Sequence, residues 1–145
     1  MPHKHIDWDD EYNLGIESID AQHRHLFEIV NMVYDLEEND HVKDEIRTIL
    51  EELNDYMKTH FKDEEIYLEN IHFPELEEHK LLHANIIEQL TQVVKNPHHR
   101  LDIFQTKMKV IVKRLLIDHI VIQDMKIKHY LKSSREDGDE EIVEL

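Results

Sequence analysis

The sequence predicts an all-α protein, an antiparallel up-and-down four-helix bundle with an extended N-terminal arm, and three observations carry that prediction. The 145 residues include only two glycines and three prolines, so little interrupts a helix. Apolar residues recur at three- and four-residue steps in four stretches, the spacing of helices that each bury one stripe. The breaks between the stretches are short, and short connections set neighbouring helices antiparallel. With 40% hydrophobic residues and no internal repeat, one domain with one core is expected.

Residues 1 to about 17 hold Pro2 and Gly15 and lack a sustained helical period, which predicts an arm that packs through Trp8, Tyr12 and Ile16. The first helix is expected to begin with Ser18 or Asp20 as N-cap and to run to Glu38, with Leu26, Phe27, Val30 and Val33 inward, before Asn39 and Asp40 break it. The second stripe is Ile46, Ile49, Leu50, Leu53, Tyr56, Met57, Phe61, Tyr67 and Leu68. It ends before Pro74, whose ring suits the first turn of a new helix. The third stripe is Leu76, Ile86, Leu90, Val93 and Val94, stopped by Asn96 and Pro97. The fourth is Leu101, Phe104, Met108, Ile111, Val112, Leu115 and Ile122, running on to Leu131. The bundle therefore takes residues 1–132, and the acidic text from Ser133, with Gly138, predicts a flexible tail over 133–145.

Charge and composition exclude several classes of function. A net charge of −16 repels phosphate backbones and anionic membrane surfaces, so neither nucleic acid nor membrane is an expected partner. The start MPHKHIDWDD lacks the plan of a secretory signal, and no run of about 18 apolar residues occurs, so a cytoplasmic location is expected. The absence of cysteine removes disulfides, thiol nucleophiles and thiolate-bound metals. Lys80 follows His79 where a zincin would need Glu, and the Glu-x-x-His spacings at Glu38 to His41 and Glu69 to His72 fall at helix breaks.

The 13 histidines are informative through their phase. His23 continues the stripe of Leu26 and Phe27, His60 follows Tyr56 and Met57, and Glu64 lies between His60 and Leu68. His79 and His83, four apart, differ by about 40° in azimuth and fill the gap between Leu76 and Ile86. His119 stands between Leu115 and Ile122, with Asp124 five residues on. Burying five imidazoles and two carboxylates unpartnered costs on the order of 1–3 kcal/mol for each polar group and more for each charge. A single zinc ion would use three or four of them, whereas two ions bridged by both carboxylates use all seven. If one ion took three His and the other two, with an oxygen of each carboxylate and a shared oxo or hydroxo bridge on both, the first would be six-coordinate. The second would be five-coordinate with one vacancy, suited to a diatomic ligand, and imidazole with carboxylate suits iron. On a regular helix His119 and Asp124 point about 140° apart. The fourth helix is therefore expected to widen into a π-type turn there or to reach the metals from two sides. His3, His5, His25, His41, His72, His98, His99 and His129 are expected at the surface.

These positions, in this order, resemble the hemerythrin family over roughly residues 8 to 131. The matching text is Trp8, then Gly15-Ile16 leading into Ile19-Asp20-Ala21-Gln22-His23, then His60-Phe61 with Glu64 and Glu65, then His79-Lys80-Leu81-Leu82-His83, then His119-Ile120 with Asp124. The resemblance implies two non-haem Fe ions joined by an oxo or hydroxo bridge. His79, His83 and His119 would bind the saturated iron, His23 and His60 the iron with the open position, and Glu64 and Asp124 would bridge them. It implies reversible O2 binding for carriage, storage or delivery, with O2 held as peroxide on the five-coordinate iron, in a pocket of Leu26, Phe27, Phe61, Leu115 and Ile120. It implies a binding protein and not an enzyme, with a protein recipient of the oxygen left open, and a monomer is expected. The alternative at the same site is O2 or iron sensing, or reduction of peroxide or nitric oxide. Family members often carry Trp four residues before the last histidine, and Leu115 stands there in this chain.

Overall fold

Four helical rods follow one another along the chain in a computed structural model that describes residues 5–98 and 100–144, with 135–144 described by backbone alone. His3 and His99, expected at the surface, lie outside the described residues, as do the side chains of the acidic run from Glu136. A 3-10 turn, Asp10–Tyr12, precedes α1 (Glu17–Tyr34), α2 (Val42–Asn70) and α3 (Leu76–Lys95). The fourth rod comprises α4 (Leu101–Val112), π-type segments at Lys113–Ile117 and His119–Asp124, and α5 (Met125–Glu144). Helix α1 packs on α2 and on α4, and α2 packs on α3. Among the described residues there is no strand, and no helix is long and apolar enough to cross a membrane.

The helix ends depend on contacts distant in sequence. Ile16, and not Ser18 or Asp20, occupies the N-cap of α1, and it offers no side-chain cap. The buried carboxylate of Asp20 instead reaches back and accepts the amides of Leu14 at 2.7 Å and Gly15 at 3.1 Å. Negative charge in the first turn of a helix is also favoured by the helix dipole. Gly15 has φ +90, the left-handed region that L side chains resist, although a β-carbon there would meet nothing within 4 Å. The requirement for glycine is thus one of backbone conformation. Helix α1 stops at Tyr34 and not at Glu38. At its end, Gln105 of α4 donates to the carbonyls of Val33 at 2.9 Å and Leu36 at 3.3 Å, so a partner helix satisfies acceptors that continued helix would have used. The arm is pinned by Asn31, which accepts from Ile6 N at 2.7 Å and donates to Ile6 O at 3.0 Å.

Helix α2 ends in a Schellman motif, with Phe73 N donating to Leu68 O at 3.0 Å and His72 N to Glu69 O at 3.1 Å. His72 takes the left-handed position with φ 57, where glycine is the usual residue. Phe73 and Leu68 close the motif as members of one apolar cluster, and Tyr130 of α5 donates its hydroxyl to the carbonyls of Ile71 and His72. Pro74 follows in the turn, one residue before the α3 N-cap Glu75.

The apolar interior is divided in two. A large cluster includes Leu26, Phe27, Val30, Phe61, Ile86, Leu115 and Ile120, with Trp8 and Tyr12 packed against it. A smaller one holds Leu14, Ile19, Leu68, Phe73 and Ile127. On every rod the buried residues between the two are polar, so a polar layer crosses the bundle. Ile122, expected in the core stripe, is instead 57% exposed, because the π-type segment shifts the helical phase after His119. Helical backbone continues from Met125 to Glu144, across the position where the sequence reading begins a tail.

Replacing His72 by glycine relieves the left-handed strain of an L residue, and the metal-free protein is expected to gain about 1 kcal/mol in urea unfolding. His72→Val, β-branched at the same φ, should lose stability. A glycine variant no more stable than the parent would show that the turn is unstrained.

Candidate metal centre

Each rod places its polar residues in the layer by helical phase. Helix α1 contributes His23, α2 contributes His60 and Glu64, α3 contributes His79 and His83, and the π-type segment of the fourth rod contributes His119 and Asp124. All seven are buried, with His119 the most exposed at 7% and Glu64 and Asp124 at 0%. The i,i+5 difficulty is resolved by the first of the two expected routes. Hydrogen bonding to the fifth residue widens the turn, so His119 and Asp124 share a face and both point inward.

The two carboxylates face in both directions. Glu64 Oε1 lies 2.7 Å from His79 Nε2 and 3.2 Å from His83 Nε2. Asp124 Oδ1 lies 3.0 Å from His79 Nε2 and 3.2 Å from His119 Nε2. Their other oxygens turn to the opposite pair, with Glu64 Oε2 3.3 Å from His60 Nε2 and 3.6 Å from His23 Nε2, and Asp124 Oδ2 3.3 Å from His23 Nε2. The donor atoms of Glu64, His79, His83, His119 and Asp124 lie within 4.8 Å of one another, and so do those of His23, His60 and Glu64. Two donors bound at about 2.1 Å and at right angles to each other stand about 3.0 Å apart, so these separations match edges of coordination polyhedra. Several of these atoms, among them His23 Nε2, His83 Nε2, His119 Nε2, Glu64 Oε2 and both oxygens of Asp124, are buried without an aligned hydrogen bond. They converge on shared points between them, the arrangement expected of a donor set that fits two cations.

Outside the layer, two ring nitrogens are held from behind. His60 Nδ1 meets Gln22 Oε1 at 2.7 Å, and His83 Nδ1 meets Glu65 Oε2 at 2.8 Å. An N–H donated from Nδ1 leaves the Nε2 lone pair directed inward. Phe61 stacks on His83 with centroids 3.8 Å apart and 7° between planes, fixing the ring further. Trp8 stands edge-on to Phe27 at 5.1 Å and covers the His23 side at 6.4 Å. The supporting parts of Gln22 and Glu65 did not follow from the phase argument, since both lie beside the apolar stripe; in the sequence they stand out only as neighbours of His23 and Glu64 within the text that carries the resemblance. Leu26, Phe27, Phe61, Leu115 and Ile120 are all buried in the large cluster bordering the layer. His5, His25, His41, His72, His98 and His129 stay outside it, exposed or half-buried.

Protons take up the charge of the layer when no cation does. Burial disfavours an imidazolium at His23 and His79, yet the adjacent carboxylates of Asp124 and Glu64 outweigh it and raise both from 6.5 to about 9. At His60 burial prevails over Glu64, and the pKa falls. Burial would raise Glu64, but the imidazoles of His23, His60, His79 and His83 hold it well below the usual carboxylate range. Asp124 is likewise held down, against its burial and the charge of Glu64, by His119 and His23.

Comparison with known proteins identifies a matching family. The family model described as Hemerythrin HHE cation binding domain matches residues 14–131. A bacteriohemerythrin of Clostridium acetobutylicum is 36% identical over 121 residues, covering 81% of this chain and 94% of that protein. Bacteriohemerythrins of Pseudomonas paraeruginosa and Campylobacter jejuni subsp. jejuni are 30% and 27% identical, covering 80% and 81% of this chain and 74% and 89% of their own lengths.

The stability of the metal-free protein should depend on pH in a defined direction. His23 and His79, raised on folding, contribute stability that is complete below pH 6.5 and lost as pH rises through about 9. His60, lowered, subtracts stability below 6.5, and the depressed carboxylates add stability that is lost in acid. Urea midpoints measured across the pH range should therefore peak at about pH 5–7 and fall toward pH 9.5. A midpoint level from pH 7 to 9.5 would show both imidazoles neutral throughout.

Proposed function

This chain belongs to the hemerythrin family, and from that premise we propose that it binds O2 reversibly at a pair of iron ions, for carriage, storage or delivery, without turning over a substrate. The observation that carries this reading is the division of the carboxylate oxygens. Glu64 and Asp124 each turn one oxygen to the His79, His83 and His119 side and the other to the His23 and His60 side. In this proposal Glu64 and Asp124 bridge, His79, His83 and His119 complete one ion, and His23 and His60 hold the other. One side then has five protein donors and the other four, which leaves the second with room for a small ligand. Iron ions held by these residues would supply the reversible one-electron chemistry that O2 binding needs.

The protein's own part is to hold, orient and exclude. Gln22 and Glu65 keep the His60 and His83 rings turned so that Nε2 faces the layer. Leu26, Phe27, Phe61, Leu115 and Ile120 are proposed to line the O2 pocket, where their packing admits a small apolar molecule more readily than water or anions. Slow entry of water and anions favours release of O2 over loss of the electrons to side reactions. The paired ions also explain why two buried carboxylates are tolerated, since cations balance them from both sides.

Iron-loaded protein, reduced without air, is expected to develop a visible absorption band on exposure to air and to lose it on purging with argon. Steady consumption of peroxide or nitric oxide, with no reversible band, would replace carriage with redox catalysis. Leu115 sits in the large cluster at 7% exposure, and Leu115→Trp should narrow access and slow autoxidation by roughly tenfold, about 1.4 kcal/mol in the barrier. An unchanged decay of the oxygenated spectrum would show that entry does not pass position 115.

A further inference from the structure

The two sides of the layer are supported by chemically different groups. On the three-histidine side, His83 Nδ1 meets a carboxylate directly, Glu65 Oε2 at 2.8 Å. On the two-histidine side, His60 Nδ1 meets a carboxamide, Gln22 Oε1 at 2.7 Å. Only the far end of that amide reaches an acid, donating from Nε2 to Asp63 at 2.9 Å. Asp63 thereby fixes which end of the Gln22 amide faces His60, and a neutral group separates its charge from the ring. Glu65 is also a contact through which the layer meets the surface. Its side chain is 25% exposed against 2% for His83. It shares a groove of about 500 Å³ between α2 and α3 with Phe61 and His83.

A carboxylate that accepts Nδ1–H draws the proton toward itself and leaves Nε2 a stronger donor to a metal. A carboxamide accepts the same bond with far less charge. Resting on the two-ion reading above, we propose that Glu65 is a positioning residue that makes the two metal positions unequal, strengthening His83 as a ligand and favouring the higher oxidation state on the three-histidine side. Gln22 holds His60 in the same orientation without that bias. The opposite side, which the four-donor count leaves open, is thereby kept the weaker donor set, and the difference arises from two residues that touch no metal.

Three variants separate charge from orientation. Glu65→Gln keeps an acceptor and removes the charge, Glu65→Ala removes both, and Gln22→Glu places charge on the other side. Metal-free protein of each is titrated with Co(II) and followed by visible absorption, circular dichroism confirms that each variant is helical, and the midpoint potential of the iron-loaded form is measured by mediated titration. The parent is expected to take up two Co(II) per chain. Glu65→Gln should weaken one of the two steps by about tenfold and raise the midpoint by about 59 mV, the equivalent of tenfold for a one-electron couple. Gln22→Glu should move the midpoint down. If Glu65→Gln matches the parent in both measurements while Glu65→Ala loses affinity, the residue acts through its hydrogen bond alone and the proposal is overturned. A parent that takes up a single Co(II) overturns the two-ion reading itself, a failure visible before any variant is compared.

Discussion

Two carboxylates buried at the centre of a helical bundle set the terms for the rest of this protein. Glu64 and Asp124 are fully enclosed between two apolar clusters. An uncompensated buried charge costs several kcal/mol, against a total stability of roughly 5–15 kcal/mol for a domain. As carboxylates, Glu64 and Asp124 call for positive charge in that layer. Without a cation, His23 and His79 supply it by holding protons well above the ordinary imidazole range. Cations would supply it more completely, because each carboxylate has an oxygen turned to either side.

That constraint accounts for the least regular part of the backbone. A regular α-helix could deliver His119 or Asp124 to the layer, but not both on one face. The π-type segment from His119 to Asp124 delivers both. It has a local consequence: Val121 and Ile122, between the two, are turned outward at 42% and 57% exposure. A local rule of amphipathic spacing is broken where the site needs it broken, and the apolar pattern resumes at Ile127, which is fully buried. The left-handed His72 at the end of α2 answers a different need. It lets the chain turn tightly enough that Phe73 and Leu68 close the small cluster beneath the layer while Tyr130 ties down the freed carbonyls.

Much of this was legible in the sequence because helical phase is a local property. His23, His60, Glu64, His79 and His83 sit in register with apolar neighbours three and four residues away, so their inward placement followed from spacing alone. Asp124 was legible as a conflict, and the conflict named the π-type turn as one of two solutions. Helix ends were less legible. Ser18 and Asp20 carry good capping side chains, yet Ile16 is the cap, because Asp20 is more valuable holding the amides of Leu14 and Gly15. Helix α1 stops short of Glu38, and the carbonyls of Val33 in its last turn and Leu36 just past it are claimed by Gln105, distant in sequence.

What the sequence determined by itself was the class of fold, the number of rods and the identity of the polar residues that meet inside them. These rest on periodicity and residue chemistry, which each segment carries independently. The tertiary structure decided how those residues are shared. It set which oxygen of Glu64 and Asp124 faces which imidazole, that Glu65 stands behind His83 and Gln22 behind His60, and that the layer lies between two separate apolar clusters. Each of these depends on distances between rods, and such distances arise only when the helices pack.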